Sequence, residues 1–174
     1  MSTALLVSLF DAEVTRTATV LRAVPPASLT WAPDPRSFTL GRLAMHVASL
    51  PGWMPAFTSR DAYDMGVGGP GPPQPTSLEA ILETLDIAGT RGRAALVSLD
   101  EAAWTTVWTL TRHGDLVASL TRAEAVMTLL LHHLVHHRGQ LTVYLRLLGQ
   151  PVPALYGDSA DAALLPEAPA TSTS

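Results

Sequence analysis

Four of the six histidines in this 174-residue chain fall within HHLVHHRGQ, residues 132 to 140. Imidazole nitrogen exchanges protons near neutral pH and is the commonest side-chain metal ligand. The run contains two i, i+4 pairs, His132 with His136 and His133 with His137. Residues four apart are neighbours on a helix, so such a pair can bring two rings to one divalent ion at about 2.0–2.1 Å. At about 100° per residue, Val126, Leu130, His133, His137, Leu141, Tyr144 and Leu148 share a stripe about 80° wide. Thr128, Arg138, Thr142 and Arg146 fall on the other side. This wheel puts His133 and His137 on the buried face, and His132 and His136 about a quarter-turn away, toward its edge.

Two readings of the inner pair are open. They are core histidines satisfied by hydrogen bonds, or they are ligands. Two polar rings side by side are costly to bury without partners, and a third ligand would decide for a metal. His46 is the candidate, because it sits in the apolar stretch LGRLAMHVASL of another helix. Three histidines with positions left for water form a catalytic kind of metal site rather than a closed structural one.

The neighbours divide similarly. Gln140 projects toward the ligand face, to hydrogen-bond a ligand or an outer-shell water, or to cap or bridge helices. Trp53 either walls the pocket or packs in the core. Arg138 points about 140° from His133 and reads as structural, bonding a loop carboxylate or a partner subunit. Tyr144 reads as core with its hydroxyl satisfied. His132 and His136 read as hydrogen-bonding across helices or an interface, or as supporting the ligands from outside.

The elements that must position these groups follow from periodicity and stop signals. Apolar residues at Leu5, Leu6, Leu9, Phe10, Val14, Ala18 and Leu21 mark a first helix ending before Pro25-Pro26. A second runs from about Thr39 to the Pro51-Gly52 stop. Residues 59–77, rich in Gly and Pro, read as a long irregular connection, and the part at 66–75 as a lid over a substrate. A third helix starts at the N-cap Ser77, with Gly89 and Gly92 weakening its middle. WTTVWTLTRHGDLVASL reads as two short extended segments with a turn at His113. Thr121 with Glu124 gives a capping box for a fourth helix that runs to Leu148 and stops at Gly149. The expectation is one domain over 1–165 and a disordered tail over 166–174.

Composition narrows the chemistry. With 47% hydrophobic residues the chain can fold, yet it has no apolar run of the roughly 20 residues a membrane span needs. The net charge of −4 argues against nucleic acid as a partner. The N-terminal stretch lacks a basic leader, so a cytoplasmic location is expected. There is no cysteine and no lysine, which excludes thiolate ligands, cysteine nucleophiles and lysine Schiff bases. Any metal here is held by nitrogen and oxygen.

HHLVHHRGQLTVYLRLLGQPVPALYG, together with the upstream LAMHVASLPGW, closely resembles the DinB family of DNA-damage-inducible proteins, DinB/YfiT-like metalloenzymes. The resemblance implies an all-α fold, an antiparallel four-helix bundle of up-down-down-up topology, here with a short β-hairpin between the third and fourth helices. It implies that the metal ligands are His46, His133 and His137, that the ion is zinc or nickel, and that the chain is a homodimer. It also implies an activity: metal-dependent transfer of a low-molecular-weight thiol, of the mycothiol or bacillithiol type, to an electrophilic small molecule in detoxification or stress response. A metal can lower the pKa of such a thiol, so the sulfur would come from the substrate. Two rivals stand beside this reading. A hydrolase would need a carboxylate base, and neither the second nor the fourth helix offers one past Glu124, leaving a loop such as 59–64. A non-catalytic metal-binding protein would need only the ion.

Overall fold

The structure, a computed structural model, describes residues 2–67, 71, 73–161 and 164. Helix α1 (Thr3–Arg22) begins at Ser2, whose hydroxyl accepts from Leu5 N–H. Helix α2 (Leu40–Ser49) begins at Thr39, capped in the same way by its own side chain. A 3₁₀ turn over Leu50–Trp53 leads directly into the short α3 (Met54–Thr58), so the chain passes Pro51 without leaving helical geometry. Proline is tolerated there because it occupies the first turn of the new segment. Helix α4 (Leu78–Val97) follows the N-cap Ser77. The capping box of Thr121 and Glu124 starts α5 (Arg122–Ala125), which continues through a π-helical segment, Val126–Leu131, into α6 (His132–Leu147).

The all-α expectation is overturned by a three-stranded mixed sheet, order β1-β2-β3. β2 (Val107–Arg112) and β3 (Asp115–Thr121) form the antiparallel hairpin, and His113 and Gly114 turn it with φ of 52° and 88°. Positive φ at both central residues is the type I′ pattern whose twist matches the strands. β1 (Ala62–Asp64) pairs parallel to β2 from within the connection read as irregular. Three residues are too few to show a period, and what fixes them is distant in sequence. The Asp64 carboxylate accepts from the backbone N–H groups of Gly66, His113 and Gly114, which ties β1 to the hairpin turn. The four long helices that the sequence calls for are present beside this sheet. The tail at 166–174 lies outside the described residues, as do positions 68–70 and 72 of the stretch read as a lid.

α1 packs on α4, and α2 packs on both α4 and α6. Their contact faces bury Leu6, Phe10, Leu43, Val47, Leu85, Leu96, Leu134 and Leu141. Trp108 connects the sheet to this core, stacking on Phe57 at 4.9 Å and donating its indole N–H to the Ala56 carbonyl. Gly92 has a structural reason: a Cβ there would lie 2.3 Å from the Pro51 carbonyl oxygen and 2.7 Å from the Phe10 ring. Gly92→Ala should therefore destabilise the protein by about 1–3 kcal/mol, against the gain of about 1 kcal/mol alanine brings to a helix interior. Urea unfolding checks this; an unchanged or raised midpoint would mean that α4 can move off the Leu50–Trp53 turn without cost.

Candidate metal centre

α2 and α6 bring three histidines together. One ring nitrogen from each of His46, His133 and His137 lies within 4.8 Å of the others. Ring centroids are 5.2 Å apart for His46 and His133, 4.6 Å for His46 and His137, and 4.6 Å for His133 and His137. His46 is buried, 9% exposed, while His133 and His137 are half-buried. The cluster thus closes inward on α2 and opens outward on α6.

Its donor set suits a divalent ion. Two nitrogens bound to one tetrahedral ion at about 2.0–2.1 Å are about 3.3–3.4 Å apart, and His46 Nε2 and His133 Nε2 are separated by 3.3 Å. Two neutral rings at that distance can also share a proton, but such a pair leaves the third ring unexplained. His137 is oriented for ligation by Gln140, whose amide Oε1 lies 2.7 Å from His137 Nδ1. An amide oxygen only accepts, so Nδ1 carries the proton and Nε2 keeps its lone pair. His133 has a hydrogen bond with the Leu129 backbone, within the π segment just before it.

Electrostatics keeps all three rings in the ligating form. Burial, and then the proximity of His137 and His133, pushes His46 down to about 4. Burial also lowers His133 and His137, against the Leu129 and Gln140 hydrogen bonds that pull the other way. The free protein therefore presents neutral imidazoles at pH 7.

The remaining site residues sort themselves by contact. Trp53 is 43% exposed, with its ring 5.9 Å from His46 and 5.5 Å from His133, so it is a wall of the site and not a core tryptophan. His136 is exposed and stacks on His137 at 4.9 Å, while His132 is exposed. Tyr144 donates its hydroxyl to the Phe38 carbonyl and meets Trp31 edge-on. Phe38 was not among the residues the sequence singled out. It is 41% exposed and its ring lies 6.4 Å from His46, opposite in role to Trp53 as a second aromatic border.

Arg138 keeps its structural reading but not its place on the wheel. The wheel puts it on the outer side of the helix, yet it is 1% exposed, while the fully inward residues of α6 are Leu134, Arg138, Leu141 and Leu145. The histidines occupy the rim of that face. Arg138 is tolerated inside because both terminal nitrogens of its guanidinium have partners: the Glu13 carboxylate and carbonyl, the Thr17 hydroxyl and the Tyr156 hydroxyl. A buried guanidinium is stable only under that condition.

The sequence model of the DinB family matches residues 1–168. The chain belongs to the DinB family. Among curated relatives, this DinB protein is 28% identical over 148 residues to the uncharacterized protein YrdA of Bacillus subtilis (strain 168), covering 85% of this chain and 83% of YrdA. Among solved structures, it superposes on a DinB-like protein from Bacillus cereus ATCC 10987 with TM-score 0.66 and 28% identity, over 84% of this chain and 92% of that one. A mycothiol-dependent maleylpyruvate isomerase shares the fold at TM-score 0.51 and 13% identity, over 88% of this chain and 65% of the isomerase. Among the described residues of this DinB protein, no helix is long and apolar enough to cross a membrane.

Proposed function

We propose that this DinB protein is a divalent-metal-dependent enzyme that transfers a low-molecular-weight thiol to an electrophilic small molecule. The observation that carries this is the open three-histidine cluster, within which no carboxylate takes part. His46, His133 and His137 would hold the ion, and Gln140 would fix the tautomer of His137. A bound divalent ion supplies Lewis acidity, which lowers the pKa of a thiol brought to it. Trp53 and Phe38 border the open side and exclude water from a ligand seated between them.

The choice of thiol over water rests on where the carboxylates are. α2 and α6 contain no Asp or Glu. Of the acids in the 59–64 stretch, Asp61 pairs with Arg122 and Asp64 is taken up by the hairpin turn. A hydrolase would need one of them free as general base. The isomerase that shares the fold depends on mycothiol by its name, which supports the same class of cosubstrate here. Zinc and nickel are both compatible with three imidazoles. In this reading the protein is a homodimer with a role in detoxification or stress response.

The test is direct. Protein loaded with zinc or nickel is mixed with mycothiol or bacillithiol and 1-chloro-2,4-dinitrobenzene, and thioether formation is followed by absorbance. Metal-dependent acceleration with a thiol supports the proposal. Metal-dependent hydrolysis of 4-nitrophenyl acetate, with no effect of either thiol, would replace it with the hydrolase reading.

A further inference from the structure

Among the described residues, Arg42 is a cation without a counter-ion. It lies on α2 one turn before His46, at the i, i+4 spacing that puts two side chains on the same face of a helix. Its guanidinium carbon sits 5.0 Å from the centre of the Phe38 ring, and that ring is the one bordering His46 at 6.4 Å. The guanidinium therefore lies no farther from His46 than those two contacts laid end to end. Among the described residues it forms no ion pair and its side chain donates no hydrogen bond, although it is only half-exposed.

Its treatment differs from that of the other inward arginines. Arg122 donates to Asp61, Thr106 and two carbonyls, and both terminal nitrogens of Arg138 have partners. Arg42 instead has its guanidinium carbon over an aromatic ring, a cation–π contact, and among the described residues its side chain donates to no acceptor. A planar fork of donors left in that state is suited to a carboxylate, which it can engage in a bidentate manner. No acid on α2 or α6 competes for it.

We infer that Arg42, held by Phe38, is the anchor for a carboxylate on the small molecule that reacts at the three-histidine centre. The substrate class is thus an organic acid whose reacting atom is separated from its carboxylate by a short spacer and whose body lies between Phe38 and Trp53. Arg42 fixes the orientation, and the histidines face the reacting end. The inference rests on the proposed function for the identity of the reacting end, but the carboxylate contact can be measured without any reaction.

The experiment uses benzoate and its uncharged analogue benzamide as probes, followed through the arginine Nε–Hε signals of ¹⁵N-labelled protein. Arg42→Lys identifies the Arg42 signal by its loss. Benzoate should move that signal and bind at least about tenfold more weakly to Arg42→Ala, the loss expected for a charge-assisted hydrogen bond. Arg42→Lys should fall between the two, because it keeps the charge and loses the fork. Equal binding of benzamide, unchanged benzoate affinity in Arg42→Ala, or no binding at all would each overturn the inference. Running the titration on metal-free wild type and on His133→Ala separates the two proposals. If wild type takes up no zinc or nickel on incubation while benzoate still depends on Arg42, the carboxylate site stands and the metal reading falls. Stoichiometric metal with benzoate indifferent to Arg42 gives the reverse.

Discussion

His46→Ala, His133→Ala and His137→Ala should each abolish stoichiometric retention of zinc or nickel while the protein stays folded. The magnitude follows from a comparison inside the site. Gln140 touches only a ligand, and loss of such an outer-shell partner costs about 10–100-fold in metal affinity, so Gln140→Ala should fall in that range. Each histidine would supply a bond to the ion itself, and its removal should cost more than the Gln140 change. Competition against a chromophoric chelator gives both numbers on one scale, with elemental analysis giving the stoichiometry. The fold should survive, because the apolar core around Leu43, Val47, Leu134 and Leu141 is complete without an ion. Equal metal content in wild type and all three variants would remove the centre.

The pH dependence has a definite sign. Ligating imidazole must be neutral, so protons compete with metal and affinity falls as pH falls. An ordinary histidine begins to lose that competition near its own pKa of about 6.5. His46 is held down to about 4, and His133 and His137 are also lowered. Zinc affinity should therefore decline less steeply between pH 7 and 6 than for three ordinary histidines, and fall sharply only in more acidic solution. A full three-proton dependence already between pH 7 and 6 would contradict the lowered values.

The sequence carried the site farther than it carried the fold. Spacing of four, an apolar setting and the absence of cysteine were enough to choose His133 and His137 from four candidates and to add His46 from another helix. The caps at Ser77 and Thr121 were equally legible, because capping is a local interaction between a side chain and the backbone two or three residues on. The strand β1 was not, since Ala62–Asp64 is made a strand by β2 and by the N–H groups around His113, about fifty residues away. Arg138 was misplaced for a related reason. A wheel assigns charge to the outside, and only the partners on α1 and near Tyr156 make an inward guanidinium tolerable. The π segment at Val126–Leu131 also breaks the constant 100° step on which the wheel depends. Phe38 and Arg42 were not singled out: Arg42 is four residues from His46, but nothing in one sequence tells an unpartnered arginine held over a ring from a solvated one.

Arg138→Ala should be the most destabilising single change outside the apolar core, at about 3–5 kcal/mol. Removing it leaves the buried Glu13 carboxylate with Tyr156 and Arg16 alone. For a protein of this length that corresponds to a fall in Tm of roughly 6–20 °C. Tyr156→Phe removes two hydrogen bonds to charged groups, the one its hydroxyl accepts from Arg138 and the one it donates to Glu13, and should cost at least about 1.5–3 kcal/mol. Replacing both charges together, Arg138→Met with Glu13→Leu, should recover most of the loss, because apolar side chains need no partners. Acid sensitivity distinguishes this ion pair from simple packing. Burial raises the Glu13 pKa, but the Tyr156 hydrogen bond, Arg138 and Arg16 together outweigh it and hold the carboxyl below its usual value. A folded-state pKa that is lower than the unfolded one gives stability that is present above the unfolded value of about 4.5 and lost as pH falls through the folded value. Wild type should therefore lose this contribution below about pH 4.5, while the Arg138→Met/Glu13→Leu protein should lack that component of its acid unfolding. Since Arg138 follows His137 on the same helix, the double variant also separates two roles: retained metal affinity would make the ion pair a device of stability alone, and a loss would make it part of what holds the His137 ring in place.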